Sequence, residues 1–146
     1  MGKYKREQYF LKIIMTVFES KETINKPLAT VYSFLADFNN HQQLMPANIS
    51  DWSSSKDEAR FSIQNMGKLA LRISNRIENS SIIIIPAQEV PFNVEMRWVV
   101  TDLGDNTTEA ILTISAELNM MMKMMASGPL KKLTANQTEQ LKKLMQ

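Results

Sequence analysis

From Ala59 to Leu118 the chain alternates between apolar and polar residues with a period of two, and on either side of that stretch the period lengthens. Alternation of this kind marks half-buried strands. "ARFSIQ" places Phe61 and Ile63 on one face. "GKLALRISNRI" sets Leu69, Leu71, Ile73 and Ile77 against Lys68, Arg72, Ser74 and Arg76. "SIIIIPA" is a short, wholly apolar strand that Pro86 ends or assigns to an edge. "PFNVEMRWVV" sets Phe92, Val94, Met96, Trp98 and Val100 against Asn93, Glu95 and Arg97. "TTEAILTISAEL" sets Ala110, Leu112, Ile114, Ala116 and Leu118 against Glu109, Thr113 and Glu117. A first strand is predicted from about Ile13 to Ile24, with Phe18 and Ile24 opposite Glu19 and Lys21. Turn residues fall between the strands at "SSSKDE", "NMG", "ENS" and "LGDN".

The longer period appears first in "NKPLATVYSFLADFNNHQQLMP". Leu28, Val31, Tyr32 and Leu35 form an apolar stripe at three- and four-residue spacing. Asn25 can cap this helix, and Pro27 suits its first turn, where a missing N–H costs nothing. Asp37 and the Asn39–Asn40 pair interrupt the stripe. A second short helical turn is predicted from His41 to Met45, stopped by Pro46.

A helical pattern returns from about Asn119 to Met145. Met122, Ala126, Leu130, Leu133, Gln137, Leu141 and Leu144 make its inner stripe, with Lys131, Lys132, Glu139, Lys142 and Lys143 outside. Gly128–Pro129 predicts a kink or a break, with the longer helix starting at about Pro129.

Strands with one wet and one greasy face form an antiparallel sheet, and the greasy face needs a cover. The C-terminal helix is the remaining cover. The expected fold is therefore α+β: a curved antiparallel sheet of six to seven strands gripping a long C-terminal helix, with two short helices after the first strand. Residues 1–146 read as one domain, a size that buries a substantial core without disulfide or metal. Residues 1–12 are expected to form a flexible or loosely packed leader.

The order of these elements resembles the START-like superfamily, the helix-grip fold that includes polyketide cyclases and plant pathogenesis-related allergens. The local likeness lies in Ile24, Pro27, Val31, Tyr32, Leu35, Asp37 and Pro46 and in the closing "SGPLKKL…LKKLM". It covers the chain from about Ile14 to Leu144. The resemblance implies a hydrophobic cavity between sheet and helix and brings no shared catalytic residue. Its expected lining is Tyr32, Leu35, Phe61, Ile63, Leu71, Ile73, Met96, Trp98, Leu112, Ile114, Met122, Met125, Ala126, Leu130 and Leu133. The methionine run before the terminal helix departs from the family's composition.

Charge narrows the functional classes only slightly. Seventeen basic and 15 acidic residues leave a net charge of +2. The lysines at "KYKR", 131–132 and 142–143 are too dispersed for a nucleic-acid surface and read as solubilising. The absence of cysteine excludes disulfides, thiolate zinc sites and thiol catalysis. No signal peptide and no run of 18 apolar residues is evident, so a cytoplasmic protein without a transmembrane segment is expected. No phosphate loop, dinucleotide fingerprint or HExxH motif is present. "NIS", "NSS" and "NTT" match glycosylation acceptors that carry little meaning without a secretory signal.

Five of the six residues from Met120 to Met125 are methionine, and they cannot all face one way. They can fill irregular core space, join two subunits as a homodimer contact, frame a ligand portal or touch a membrane. Thioethers favour Cu(I), but contiguous spacing matches such sites poorly, so no metal or cofactor is predicted.

His41 is the sole histidine. It reads as a surface or capping residue that can share a hydrogen bond with Asp37. As a sharper alternative it is a general acid or base at the cavity end, with Asp37 beside it. Trp98 falls on the greasy face, and its indole N–H will need an acceptor from the backbone or a ligand. Tyr32 can reach the cavity rim. Glu95 and Arg97 read as cross-strand surface pairs, and Asn65 and Asn75 as turn or edge residues.

Three functions fit this reading: a carrier or sensor of a small hydrophobic molecule, a cyclase- or dehydratase-like enzyme using the same cavity, and a filled-core module that dimerises through Met120–Met125.

Overall fold

A computed structural model of the chain describes residues 14–90 and 92–146, so the expected leader at 1–12 lies outside the described residues. Seven antiparallel strands form one sheet: β1 (Ile14–Ile24), β2 (Ile49–Ser54), β3 (Glu58–Ile63), β4 (Gly67–Ile77), β5 (Ser81–Pro86), β6 (Val94–Gly104) and β7 (Thr107–Leu118). Their spatial order is β1-β7-β6-β5-β4-β3-β2. The later strands thus form a meander, and β1 closes against β7. The expected turns carry the strain that tight reversals require. Asn65, Asn79, Asp105 and Asn106 all have positive φ, as do Gly67 and Gly104. Asn and Gly tolerate that region best.

Two features of the sheet differ from the sequence expectation. β2 was hidden because "ISDWSS" is polar, sits at the end of the strand order, and contains Asp51 at φ 56° with a register shift between Ser50 and Ser53. In β4 a bulge between Ile73 and Asn75 inserts one residue against β5. It exchanges the faces of every later position. Ile77, expected inside, is 52% exposed, and Arg76, expected outside, turns inward.

Helix α1 (Leu28–Leu35) buries Val31, Tyr32 and Leu35. Pro27, not Asn25, occupies its N-cap position, and no side chain caps it. A 3-10 helix follows at Phe38–Leu44, earlier than predicted, because the Asp37 carboxylate accepts the Asn39 N–H at 2.9 Å and starts the turn there. Helix α2 (Met120–Leu144) runs unbroken through Pro129. Proline removes one N–H from the ladder, yet the helix continues, anchored on both sides by Ala126, Leu130 and Leu133. Asn119 caps it by accepting the Met122 N–H at 2.8 Å.

Helix and sheet advance together. A helix residue rises about 1.5 Å and a strand residue about 3.3 Å, so four helical residues match one same-face step of a strand. Ala126 and Leu130 pack with Ala116 and Leu118. Thr138 meets Ser20, which pairs with Leu112. Lys142 reaches Glu22, which pairs with Ala110, at 3.2 Å. The helix therefore descends the sheet one row per turn, with Leu133 over the row of Phe18, Ile114 and Met96.

Candidate functional site

Where the curved sheet parts from the straight helix, a cavity of about 230 Å³ remains between the two layers. Phe61 and Ile63 of β3, Leu71 of β4, Met96 of β6 and Ile114 of β7 form its sheet wall, and Leu130 and Leu133 of α2 form its helix wall. Its mouth lies between the β3–β4 turn at Met66–Lys68 and the β5–β6 connection at Gln88–Val90, with Phe92 beside it. Lys68 and Glu89 are the charged groups there. Depressions of about 500 and 350 Å³ adjoin this mouth, sharing Gln88 with it; they have mixed polar lining and take no residue from α2.

The other expected lining residues lie elsewhere. Tyr32 and Leu35 pack under α1, and Ile73 and Leu112 are core. Ala126 and Met122 belong to the packing at the start of α2. Met125 is 71% exposed: with Ala126 and Leu130 facing the sheet, the helical period turns residue 125 to solvent. Lys68 was read on the wet face of its strand, and the mouth residues Met66, Gln88 and Val90 escaped the sequence reading because connecting residues carry no periodic signal.

Trp98 sits immediately beyond the cavity wall. It is the next inward residue after Met96, it is fully buried, and its indole N–H has no hydrogen-bond partner. Gln137 follows Leu133 by one helical turn on the same stripe. It too is fully buried, and both its amide oxygen and its amide nitrogen lack partners. A buried polar group left unsatisfied costs about 1–3 kcal/mol. Their neighbours on the helix are satisfied. Thr134 donates to the Leu130 carbonyl at 2.7 Å, and the hydroxyls of Thr138 and Ser20 lie 2.6 Å apart.

The acid–base candidates form a different cluster. His41 is buried, with Nε2 at 2.8 Å from the Leu35 carbonyl and its ring edge-on to Phe38 at 4.8 Å. It is therefore not a surface residue, and its hydrogen bond goes to Leu35 rather than to Asp37. Burial lowers its pKa to about 4, against smaller opposing effects from the Leu35 carbonyl and Asp37. Arg76, turned in by the β4 bulge, donates to the carbonyls of Ala36 and Lys56 and pairs with Asp57 at 2.8 Å. Asn40 donates to the Phe34 carbonyl at 3.0 Å. Three side chains thus cover three successive carbonyls at the end of α1, where a helix has no backbone donors left. Burial holds the Tyr32 phenol above its ordinary pKa, with Arg76 pulling it back. This arrangement is a helix terminus sealed by side chains, and neither His41 nor Asp37 lines the cavity.

No family model and no curated protein matches the chain. Solved structures do. A START superfamily protein from Mycobacterium smegmatis superposes with a TM-score of 0.64 at 18% identity, covering 88% of this chain and 98% of that one. The Zhui aromatase/cyclase from Streptomyces sp. R1128 gives 0.73 at 13% identity, over 90% and 94%. Norcoclaurine synthase from Thalictrum flavum gives 0.73 at 5% identity, over 92% and 88%. The fold is the START-like helix grip.

In this helix grip the gripped element begins with an apolar outer face. Met120, Met121, Met124 and Met125 are 62–80% exposed, while Met122 turns inward. The methionine run therefore fills little core. Glu95 and Arg97, on the outer face of the sheet, pair along their own strand at 3.5 Å rather than across strands. Among the described residues, no helix is long and apolar enough to cross a membrane.

Proposed function

We propose that this protein binds a small hydrophobic molecule, carrying or sensing it, in the cavity between the sheet and α2. The observation that carries this reading is the wall itself: apolar side chains from both layers surround about 230 Å³. Removing apolar area from water drives such binding at about 25 cal/mol per Å². The volume equals roughly eight waters at about 30 Å³ each, below the roughly 300 Å³ at which drug-sized pockets begin. The guest is accordingly ring-sized, smaller than a sterol or a two-chain lipid. Two neighbours of the fold are named as a synthase and an aromatase/cyclase. A reaction here would need an acid or base in the inner wall, and His41 and Asp37 do not line it.

The test is a titration of purified protein, followed by NMR, with monocyclic and bicyclic aromatics and short alkyl chains. Binding by the wild type and its loss in Leu130→Trp, which fills the cavity from the helix side, supports the reading. A folded wild type that binds no member of the panel refutes it.

For the exposed methionine face we propose a second copy of the chain as partner. Four exposed thioether side chains in the first two turns of α2 support self-association. Sedimentation that stays monomeric at millimolar concentration refutes it.

A further inference from the structure

The cavity ends at a row of the structure that holds unpaired polar atoms. Arg76, Ile82, Trp98, Leu112 and Ser20 are paired in succession across five strands. The Ser20–Thr138 hydroxyl contact fixes the turn of α2 that carries Gln137 over that same row. The cavity wall stops one row short, at Met96, Ile114 and Leu133. Its inner end is therefore followed, in both layers, by a buried side chain with nothing to bond: the indole N–H of Trp98 and the amide of Gln137. The two do not satisfy each other, and among the described residues the other buried polar side chains are His41, Ser81, Thr108, Thr134 and Thr138, with no cation or carboxylate.

We propose that the guest enters polar end first and carries a neutral hydroxyl, phenolic or alcoholic, at that end. This rests on the cavity-binding reading above. A hydroxyl oxygen accepts the Trp98 N–H while its own proton goes to the Gln137 amide oxygen, a combination that neither a hydrocarbon nor an ether supplies. A carboxylate is disfavoured because the cation of that row, Arg76, is already engaged by Asp57 and by the Ala36 and Lys56 carbonyls. The apolar body of the guest then occupies the cavity out to Phe92 and the mouth.

The experiment compares 4-ethylphenol with ethylbenzene, two guests of one shape, binding to ¹⁵N-labelled wild type, Trp98→Phe and Gln137→Leu. The chain has two tryptophans, and Trp52 stacks on the wall residue Phe61 at 5.3 Å, so its indole resonance reports cavity occupancy by either guest. In the wild type, 4-ethylphenol shifts the Trp98 indole N–H well beyond the shift that ethylbenzene causes, whereas Trp52 responds alike to both. Each substitution weakens 4-ethylphenol about tenfold and ethylbenzene by less than about twofold. Equal losses for both guests, or wild-type binding of ethylbenzene alone, overturn the polar-end assignment and leave the cavity reading standing. Failure of both guests on folded wild type overturns the two together. If Trp98→Phe does not fold, Gln137→Leu decides, since leucine suits a buried helical stripe.

Discussion

Acidification from pH 7 to pH 5 should destabilise this protein, and His41 is the cause. In the unfolded chain its imidazole takes up a proton near pH 6.5, whereas in the folded state it does so only at about pH 4. Between those values the unfolded state binds more protons, so stability is full above pH 6.5 and falls as the pH drops toward 4. A pKa gap of about 2.5 units at about 1.4 kcal/mol per unit gives a total loss of about 3–4 kcal/mol, of which about 2 kcal/mol is lost by pH 5. The groups that face the imidazole are the Leu35 carbonyl, the Phe38 ring and the more distant Asp37 carboxylate. The carbonyl and the carboxylate favour the cation, and burial outweighs them.

Urea denaturation at pH 7, 6 and 5, followed by fluorescence, measures the slope. His41→Gln keeps a donor for the Leu35 carbonyl and removes the titration. The wild type should lose about 2 kcal/mol over this range, and the variant should run nearly flat whatever its stability at pH 7. Parallel curves for the two proteins would refute the reasoning and return His41 to an exposed or pre-ionised state.

Two further perturbations probe the frame of the site. Arg76→Met uncovers the Ala36 carbonyl, while Lys56 keeps the Phe38 N–H, and should cost about 1–3 kcal/mol; a urea midpoint unchanged from wild type would mean that water replaces the guanidinium freely. Asn119→Ala removes the cap of α2 and should cost about 1 kcal/mol, with accelerated amide exchange confined to residues 120–126 rather than spread over the helix.

The sequence is most readable where one face of each strand is buried and the other wet. β3, β7 and β6 as far as Val100 alternate without interruption, so their inward residues follow from a period of two. β4 breaks that rule at Ser74. A bulge has no compositional signature, and its effect is to exchange Arg76 and Ile77. The seal over the α1 terminus was illegible for this reason: its principal cation reads as a wet-face residue until the register shift is known. β2 failed differently, since an edge strand needs little apolar character. The cavity was legible on its helix side, from the stripe through Leu130 and Leu133. Its mouth was not, because Met66, Gln88 and Val90 meet only through the curvature of the sheet.

Gln137 was visible in the sequence as one polar member of an apolar stripe, and its meaning depends on a comparison that only coordinates permit. At the end of α1, buried donors meet buried acceptors: His41 meets Leu35, and Arg76 meets Ala36. There, truncation exposes an unpaired carbonyl and destabilises. At the Trp98 row the polar atoms have no partners, so the same chemistry runs in the opposite direction. Replacing Gln137 by leucine removes two unsatisfied atoms from a fully buried site and adds apolar contact. The ligand-free protein should gain about 1–2 kcal/mol. His41→Leu, of comparable bulk, should lose stability at pH 7 because it abandons the Leu35 carbonyl. Opposite signs from two buried polar-to-leucine changes would identify one position as serving the fold and the other as retained against it, as a binding group is. If Gln137→Leu instead destabilises by more than about 1 kcal/mol, the amide is already satisfied within the folded chain, and the polar end of the cavity is structural.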